Sequence, residues 1–363
     1  MWEWLSTGVG YVLPAVLVLG VLILIHEFGH FLAARWVGVR VLKFSIGFGP
    51  KLLGFRRGET EYVLAAVPFG GFVKMVGEEP GEAGEAEVGS FARQSVGKRA
   101  LIVSAGPLTN LLGAFVLFAA VFAVYGARVP SDEARVGGLT PGMPAEQAGL
   151  REGDLVLAVD GKPVGSWEEL SQAIRGSGGR RLVLRVERDG ETLEVSLVPR
   201  EIVEKTVFGE SLETKTYVIG IERALEVKTV GPVRAVALAA EQSWLWTRMI
   251  VVGLYKIVSG RIPAQEIGGP LEIARQAGKQ AERGFEPLLM FMAIISLNLG
   301  VLNLLPIPIL DGGHLLFLAI EVALRRPVDV RHRELAQQAG LFLLLALMAF
   351  AFYNDILRVV QGG

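Results

Sequence analysis

An uncharged run from Val9 to Ile25 (VGYVLPAVLVLGVLILI) leads without interruption into His26-Glu27-Phe28-Gly29-His30. It is too apolar for a water-soluble helix and, with FLAARWVGV following, long enough to cross a bilayer. On such a helix His26 and His30 stand four residues apart and face the same way, with Glu27 to the side of the pair. Two imidazoles beside a carboxylate are the ligand pair and base that a zinc-dependent hydrolase needs. Ionisable groups at membrane depth are costly, so they argue for function rather than packing. Arg35 is the first strongly basic residue after the motif. Helix rise then places His30 about 7 Å and His26 about 13 Å from that interface, buried but near one face.

The rest of the composition agrees with a membrane setting. The chain has 363 residues, 51% of them hydrophobic, and a mean hydropathy of +0.45, which fits a polytopic protein with an extramembrane domain. A net charge of -1 gives no electrostatic footprint for nucleic acid, and no such partner is expected. Cysteine is absent, so a metal must be held by His, Asp, Glu or carbonyl oxygen. MWEWLSTGVG lacks a basic n-region and no small-residue cleavage site follows, so the first helix is expected to be retained.

Four segments are predicted to span the bilayer: Val9 to Val37, Ala100 to Tyr125, Pro287 to Leu305, and Gly340 to Tyr353 with a few flanking residues. Trp244 to Val258 is apolar but broken by Arg248 and Lys256, and reads as an interfacial helix rather than a fifth span. Ten Lys and Arg residues lie between Arg35 and Arg99, and Arg325, Arg326, Arg331 and Arg333 precede the last span. Both loops are therefore expected to be cytoplasmic, with the site toward that side and with both termini and the long segment from Arg128 to Glu241 outside. The expected location is a bacterial cytoplasmic (inner) membrane.

Two extramembrane regions have their own signatures. Val41 to Met75 alternates short β-type runs with Gly and predicts strands. These form either a hairpin dipping toward the site and offering an edge to substrate, or a small cytoplasmic sheet without such a role. The acidic, Gly-rich stretch from Gly77 to Ser90 reads as a surface linker. In the outer segment, ARVGGLTPGMPAEQAGLREGDLVLAVDGKPV gives strand, short helix, strand and a tight Asp160-Gly161 turn. SWEELSQAIRGSGG then gives a capped helix, and RRLVLRVERDGETLEVSLVPR a hairpin. This pattern, above all Gly149 to Asp154, resembles a PDZ domain of the bacterial protease type, with Thr216 to Glu222 returning to close the fold. Such domains take peptide C-termini by strand addition; a steric filter is the alternative. The expected division is residues 1–127 (two spans, the His-Glu-x-x-His motif and the β-rich loop), 128–224 (PDZ), 225–286 (amphipathic linker) and 287–363 (two spans).

Two histidines do not complete a catalytic zinc site, which usually has three protein ligands and an open position. His332 lies in the charged VRHRE and reads as a surface residue. Asn303 to His314 (NLLPIPILDGGH) holds Pro306 and Pro308, which break the helix at membrane depth, and Asp311, a carboxylate costly to leave unpaired there. Asp311 is the favoured third ligand, and a capping role for it is the plainer alternative. His314 is the competing ligand or a supporting group.

HEFGH at His26 to His30, FSIGFGP at Phe44 to Pro50, SVGKRALIVSAGPLTN at Ser95 to Asn110, the PDZ-like region and NLGVLNLLPIPILDGGHLLF at Asn298 to Phe317 together span nearly the whole chain. Taken together they resemble the site-2 protease family of intramembrane metalloproteases, in its bacterial branch with a PDZ domain in the outer loop. The resemblance implies a polytopic α-helical membrane protein of about four transmembrane helices, with a membrane-associated β-hairpin region and one extracytoplasmic PDZ domain (α+β). It implies one Zn2+ held by His26, His30 and Asp311, with Glu27 as general base. It further implicates Asn303 and Asn298 in holding the substrate backbone or oxyanion, while the β edge at Gly47 and Gly49 could hold an unwound substrate. Single-span membrane proteins such as anti-sigma factors or remnant signal peptides are the implied substrates, after an upstream site-1 protease, with a peptide ligand for the PDZ domain and the lipid bilayer as the other partners. One PDZ domain rather than two departs from the best-known pattern. A catalytically idle scaffold with a peptide-binding PDZ domain is the competing reading, but a scaffold has no need of buried ionisable groups. A metal transporter would spread polar residues over several spans.

Overall fold

The computed structural model describes residues 2–78, 87–206, 211–262 and 268–360. Much of the acidic linker expected at 77–90, namely 79–86, lies outside the described residues. The chain begins with α1 (Trp2–Trp36), β1 (Val41–Arg57), β2 (Thr60–Met75) and α2 (Val96–Tyr125). An inserted stretch follows: β3 (Ala127–Pro130), β4 (Val136–Leu139), α3 (Pro144–Gln147), β5 (Leu155–Val159), β6 (Lys162–Pro163), α4 (Trp167–Arg175), β7 (Leu182–Arg188), β8 (Glu191–Leu197), β9 (Arg200–Lys205), β10 (Ser211–Val218), β11 (Ile221–Arg223) and β12 (Leu225–Lys228). Five helices complete it: α5 (Pro232–Val258), α6 (Pro270–Arg283), α7 (Phe285–Asn303), α8 (Asp311–Leu324) and α9 (Val330–Val360). They form two compact units, Met1–Val121 with Val236–Gly363, and Phe122–Ala235.

In the first unit, Gly10–Trp36, Val96–Tyr125, Phe285–Asn303 and Val330–Val360 are long and apolar enough to cross a membrane. The last is much longer than its apolar core suggests, because Arg331 to Glu334 begin α9 instead of forming a loop. The amphipathic α5 is not among these four. Small residues let the helices approach closely: a Cβ on Gly29 would sit 2.3 Å from Thr109 Oγ1, and one on Gly300 would sit 3.0 Å from the Pro107 carbonyl. Thr109 donates to the Ile25 carbonyl at 3.1 Å, tying α2 to α1. Ser296 donates to the Asn110 carbonyl at 2.7 Å, tying α7 to α2. Asp355 on α9 accepts from the amides of Gly269, Leu271 and Glu272, so a side chain from another helix satisfies the start of α6.

β1 and β2 pair antiparallel, yet Phe44 faces both Val73 and Tyr62 while Phe55 also faces Tyr62. The first half of β1 is thus interior, and Gly71 to Met75 of β2 forms an edge with no further strand partner among the described residues. Phe31, Phe44, Val73, Met75 and Ile102 pack together, fixing this edge against α1 and α2.

The inserted unit centres on a four-stranded sheet in the order β6-β5-β7-β8. In β7, Leu182, Leu184 and Val186 are buried while Val183 and Arg185 are exposed, the period of two that a strand with one covered face demands. Asp160 and Gly161 take left-handed φ values of 49° and 76°, as a two-residue hairpin turn requires. Ser166 caps α4 by accepting from the Glu169 amide, and β11 returns to pair with β4. The molecule is a polytopic helical membrane protein with a strand-rich segment and a separate unit built on a four-stranded sheet.

Candidate metal centre

α1 carries His26 and His30 on one face, and the break between α7 and α8 brings Asp311 to them. The break is held tightly. A Cβ on Gly312 would lie 2.2 Å from the Leu305 carbonyl, and one on Gly313 would lie 2.2 Å from the Ile307 carbonyl, so the chain must have glycine to fold back here. Asp311 is the first residue of α8, after the N-cap Leu310, and its carboxylate is turned to the imidazoles. Arg99 Nη2 bonds Glu321 Oε1 at 2.5 Å, with both side chains largely buried, and fastens α8 to α2.

His26 Nε2 lies 3.1 Å and His30 Nε2 3.6 Å from Asp311 Oδ2, and the two Nε2 atoms are 3.1 Å apart. A tetrahedral zinc ion with N and O ligands at about 2.0–2.2 Å sets neighbouring donors roughly 3.3–3.5 Å apart. The three donors therefore fit one zinc ion and leave a fourth position open. His30 Nδ1 donates to the Ile102 carbonyl at 2.8 Å, which directs its Nε2 lone pair to the centre. Gly106 on α2 makes room for the rings: a Cβ there would lie 2.2 Å from His30 Nε2 and 2.8 Å from His26 Nε2.

Glu27 lines the same cavity as the triad, together with Phe72, Val73 and Met75 of the β2 edge, Glu78, His314 and Arg333. Gly71 presses against it, since a Cβ there would be 3.1 Å from Glu27 Cγ. His314 lines the cavity but is not one of the three convergent ligands among the described residues. His332 is exposed in the first turn of α9, beside Asp329.

The structure does not bring Asn298, Asn303, Gly47 or Gly49 to the lining of this cavity. Asn298 and Asn303 lie on α7, the latter as its last residue. Gly47 and Gly49 have φ of +89° and +86°, and a Cβ on Gly47 would strike the Val67 carbonyl at 2.6 Å, so they serve the turn within β1. The strand beside Glu27 is instead Gly71 to Met75. Sequence reasoning also passes over Asn110, whose Nδ2 lies 3.2 Å from His26 Nδ1. A lone amide one turn after Gly106, at the head of the uncharged run to Tyr125, is the signal that could have found it.

Residues 14–347 match the pattern described as Peptidase family M50. The chain belongs to peptidase family M50. Zinc metalloprotease RasP of Geobacillus kaustophilus is 31% identical, over 95% of this M50 chain and 97% of its own length. A Mesorhizobium japonicum protein with a provisional zinc-metalloprotease name is 39% identical, over 96% of this chain and 98% of its own. Among solved structures, the PDZ domain of an SdrC-like protein from Listeria monocytogenes covers 27% of this chain and 93% of its own, with 21% identity and a TM-score of 0.21. This M50 protein is a zinc metalloprotease, and Zn2+ is its cofactor.

Proposed function

We propose that the chain is an intramembrane endopeptidase that cuts single-span membrane proteins within or near their transmembrane segment, with His26, His30 and Asp311 as zinc ligands and Glu27 as general base. One observation carries the reading: three donors 3.1–3.6 Å apart share a cavity with Glu27 and the outer edge of β2, and the histidines belong to a membrane-spanning helix. Zinc at the triad supplies Lewis acidity, polarising a peptide carbonyl and making water acidic enough to react near neutral pH. Glu27 takes the proton from the attacking water on its carboxylate and passes it to the leaving amine. A helical substrate hides its carbonyls in its own hydrogen bonds and must unwind first. The Gly71 to Met75 edge holds the unwound stretch by backbone pairing. For Asn303, Asn298, Gly47 and Gly49 the proposed role is contact with the substrate rather than with the metal.

The charge pattern of the loops supports placing the site toward the cytoplasmic side of a bacterial inner membrane, with the PDZ domain and both termini outside. The PDZ domain then meets substrates first, binding an exposed C-terminus or excluding intact outer domains until a site-1 protease has trimmed them. Anti-sigma factors and remnant signal peptides have the required form. The test is cleavage in proteoliposomes of a single-span substrate, with the products mapped by mass spectrometry. A cut within or at the edge of the span, lost on chelation of zinc, is expected. Cuts confined to soluble segments would overturn the proposal.

A further inference from the structure

We infer that Asn110 is the positioning residue of His26: an amide that serves either tautomer of the ring by turning end for end, and so helps set zinc affinity. The inference rests on the reading of His26 as a ligand. Asn110 is fully buried, and its two amide ends are in unequal circumstances. Nδ2 lies 3.2 Å from His26 Nδ1, while Oδ1 has no hydrogen-bond partner. A buried amide oxygen left without a partner is costly, a cost that an apolar side chain of the same size would not carry.

The two imidazoles are held differently. His30 Nδ1 faces the Ile102 carbonyl, which can only accept, so its proton stays on Nδ1 and its Nε2 lone pair always faces the centre. His26 Nδ1 faces an amide nitrogen, which can only donate. In that arrangement His26 carries its proton on Nε2, 3.1 Å from Asp311 Oδ2. Zinc ligation through Nε2 needs the other tautomer, with N–H at Nδ1 and an acceptor opposite it. A half turn of the Asn110 amide sets Oδ1 opposite His26 Nδ1 as the acceptor, with Nδ2 taking the place that Oδ1 leaves. An amide carries a donor end and an acceptor end on one rotor, so a half turn exchanges them. Partners of this kind fix ring orientation and raise ligand basicity.

The test uses the full-length protein in detergent, with 15N-labelled histidine and long-range proton–nitrogen spectra recorded with and without zinc, alongside chelator competition. Only four histidines need assignment. Wild type is expected to show His26 as Nε2–H without zinc and Nδ1–H with it, while His30 keeps Nδ1–H throughout. Asn110→Leu, which removes both ends, is expected to weaken zinc binding about 10–100-fold. Asn110→Asp keeps an acceptor and is expected to stay within a few-fold of wild type, a rescue that a packing role would not produce. Wild-type affinity in Asn110→Leu, or equal loss in both variants, would overturn the inference. Should Asn110→Leu not fold, the wild-type spectra decide alone: His26 as Nδ1–H in both conditions rules out the turning amide. A His26 ring that does not respond to zinc would instead refute the ligand assignment itself.

Discussion

The two units of this protein are built inside out with respect to each other. In Phe122–Ala235, Leu170, Leu182, Leu184 and Val186 form a hidden core, while exposed positions such as Arg185 and Glu187 on β7 carry charge. In the membrane helices, Val12, Leu13 and Leu17 are more than half exposed while His26 and Asn110 are buried. The same apolar residue types that hold the inserted unit together face outward in α1, where lipid rather than protein covers them. Stability in the inserted unit therefore resides in aliphatic packing. In the helical unit, close backbone approach and a few buried polar contacts fix the geometry of the site.

Substitutions can sharpen or break this contrast. The largest expected effect is that of Asp311→Ala: zinc lost, and cleavage reduced by more than the roughly 100-fold that loss of a mere supporting partner can cause. Amide exchange in β7, measured by mass spectrometry on the full chain, should not change. Zinc should be retained in His314→Ala; if that variant alone loses it, the third ligand is misassigned.

Next comes Leu184→Ala, expected to cost the inserted unit about 2–5 kcal/mol of protection against exchange, with zinc content unaltered. Leu17→Ala on α1, where the side chain is 59% exposed, should cost about 0.5 kcal/mol or less. Equal effects at the two positions would break the contrast.

A smaller loss is expected from Asp154→Asn. Asp154 is buried and accepts from Arg188 Nε and Nη2, each at 2.7 Å, and from the Arg151 amide at 2.9 Å. Burial pushes its carboxyl up, but the Arg188 bonds and the Arg151 amide outweigh burial and hold it below the usual carboxylate range. With the native pKa lowered, the unfolded chain takes up the proton first as pH falls. The stabilisation is complete above about pH 4, the unfolded value, and is lost as pH falls through the native one. Asp154→Asn should cost about 1.5–3 kcal/mol at pH 7 and flatten the acid limb of the exchange profile of β7. The smallest change is Ser166→Ala, which removes the cap of α4 and should cost about 1 kcal/mol, seen as faster exchange in that helix.

How much of this is legible in the sequence depends on the reach of each feature. His26, Glu27 and His30 lie within one turn and a half of one helix, so spacing alone brings them together. Asp311 stands out as a carboxylate in a Pro-broken apolar stretch, but its choice over His314 needs the family resemblance, because both sit at the same break. Gly47 and Gly49 look like a strand edge locally, yet the edge beside Glu27 is Gly71 to Met75, a result of long-range pairing in which Phe44 faces both Val73 and Tyr62. Arg331 to Glu334 read as loop because charge ends an apolar run, although a helix can continue past the bilayer into water. Asn110 escapes notice because its partner lies on another helix.

The most direct test of the central claim is Glu27→Gln in the purified protein, with bound zinc and cleavage of a single-span test substrate measured on the same sample. Glu27 shares the cavity of the triad without being one of its three ligands, so the variant should keep wild-type zinc and lose cleavage. Undiminished cleavage with zinc in place would contradict the assignment of Glu27 as the base.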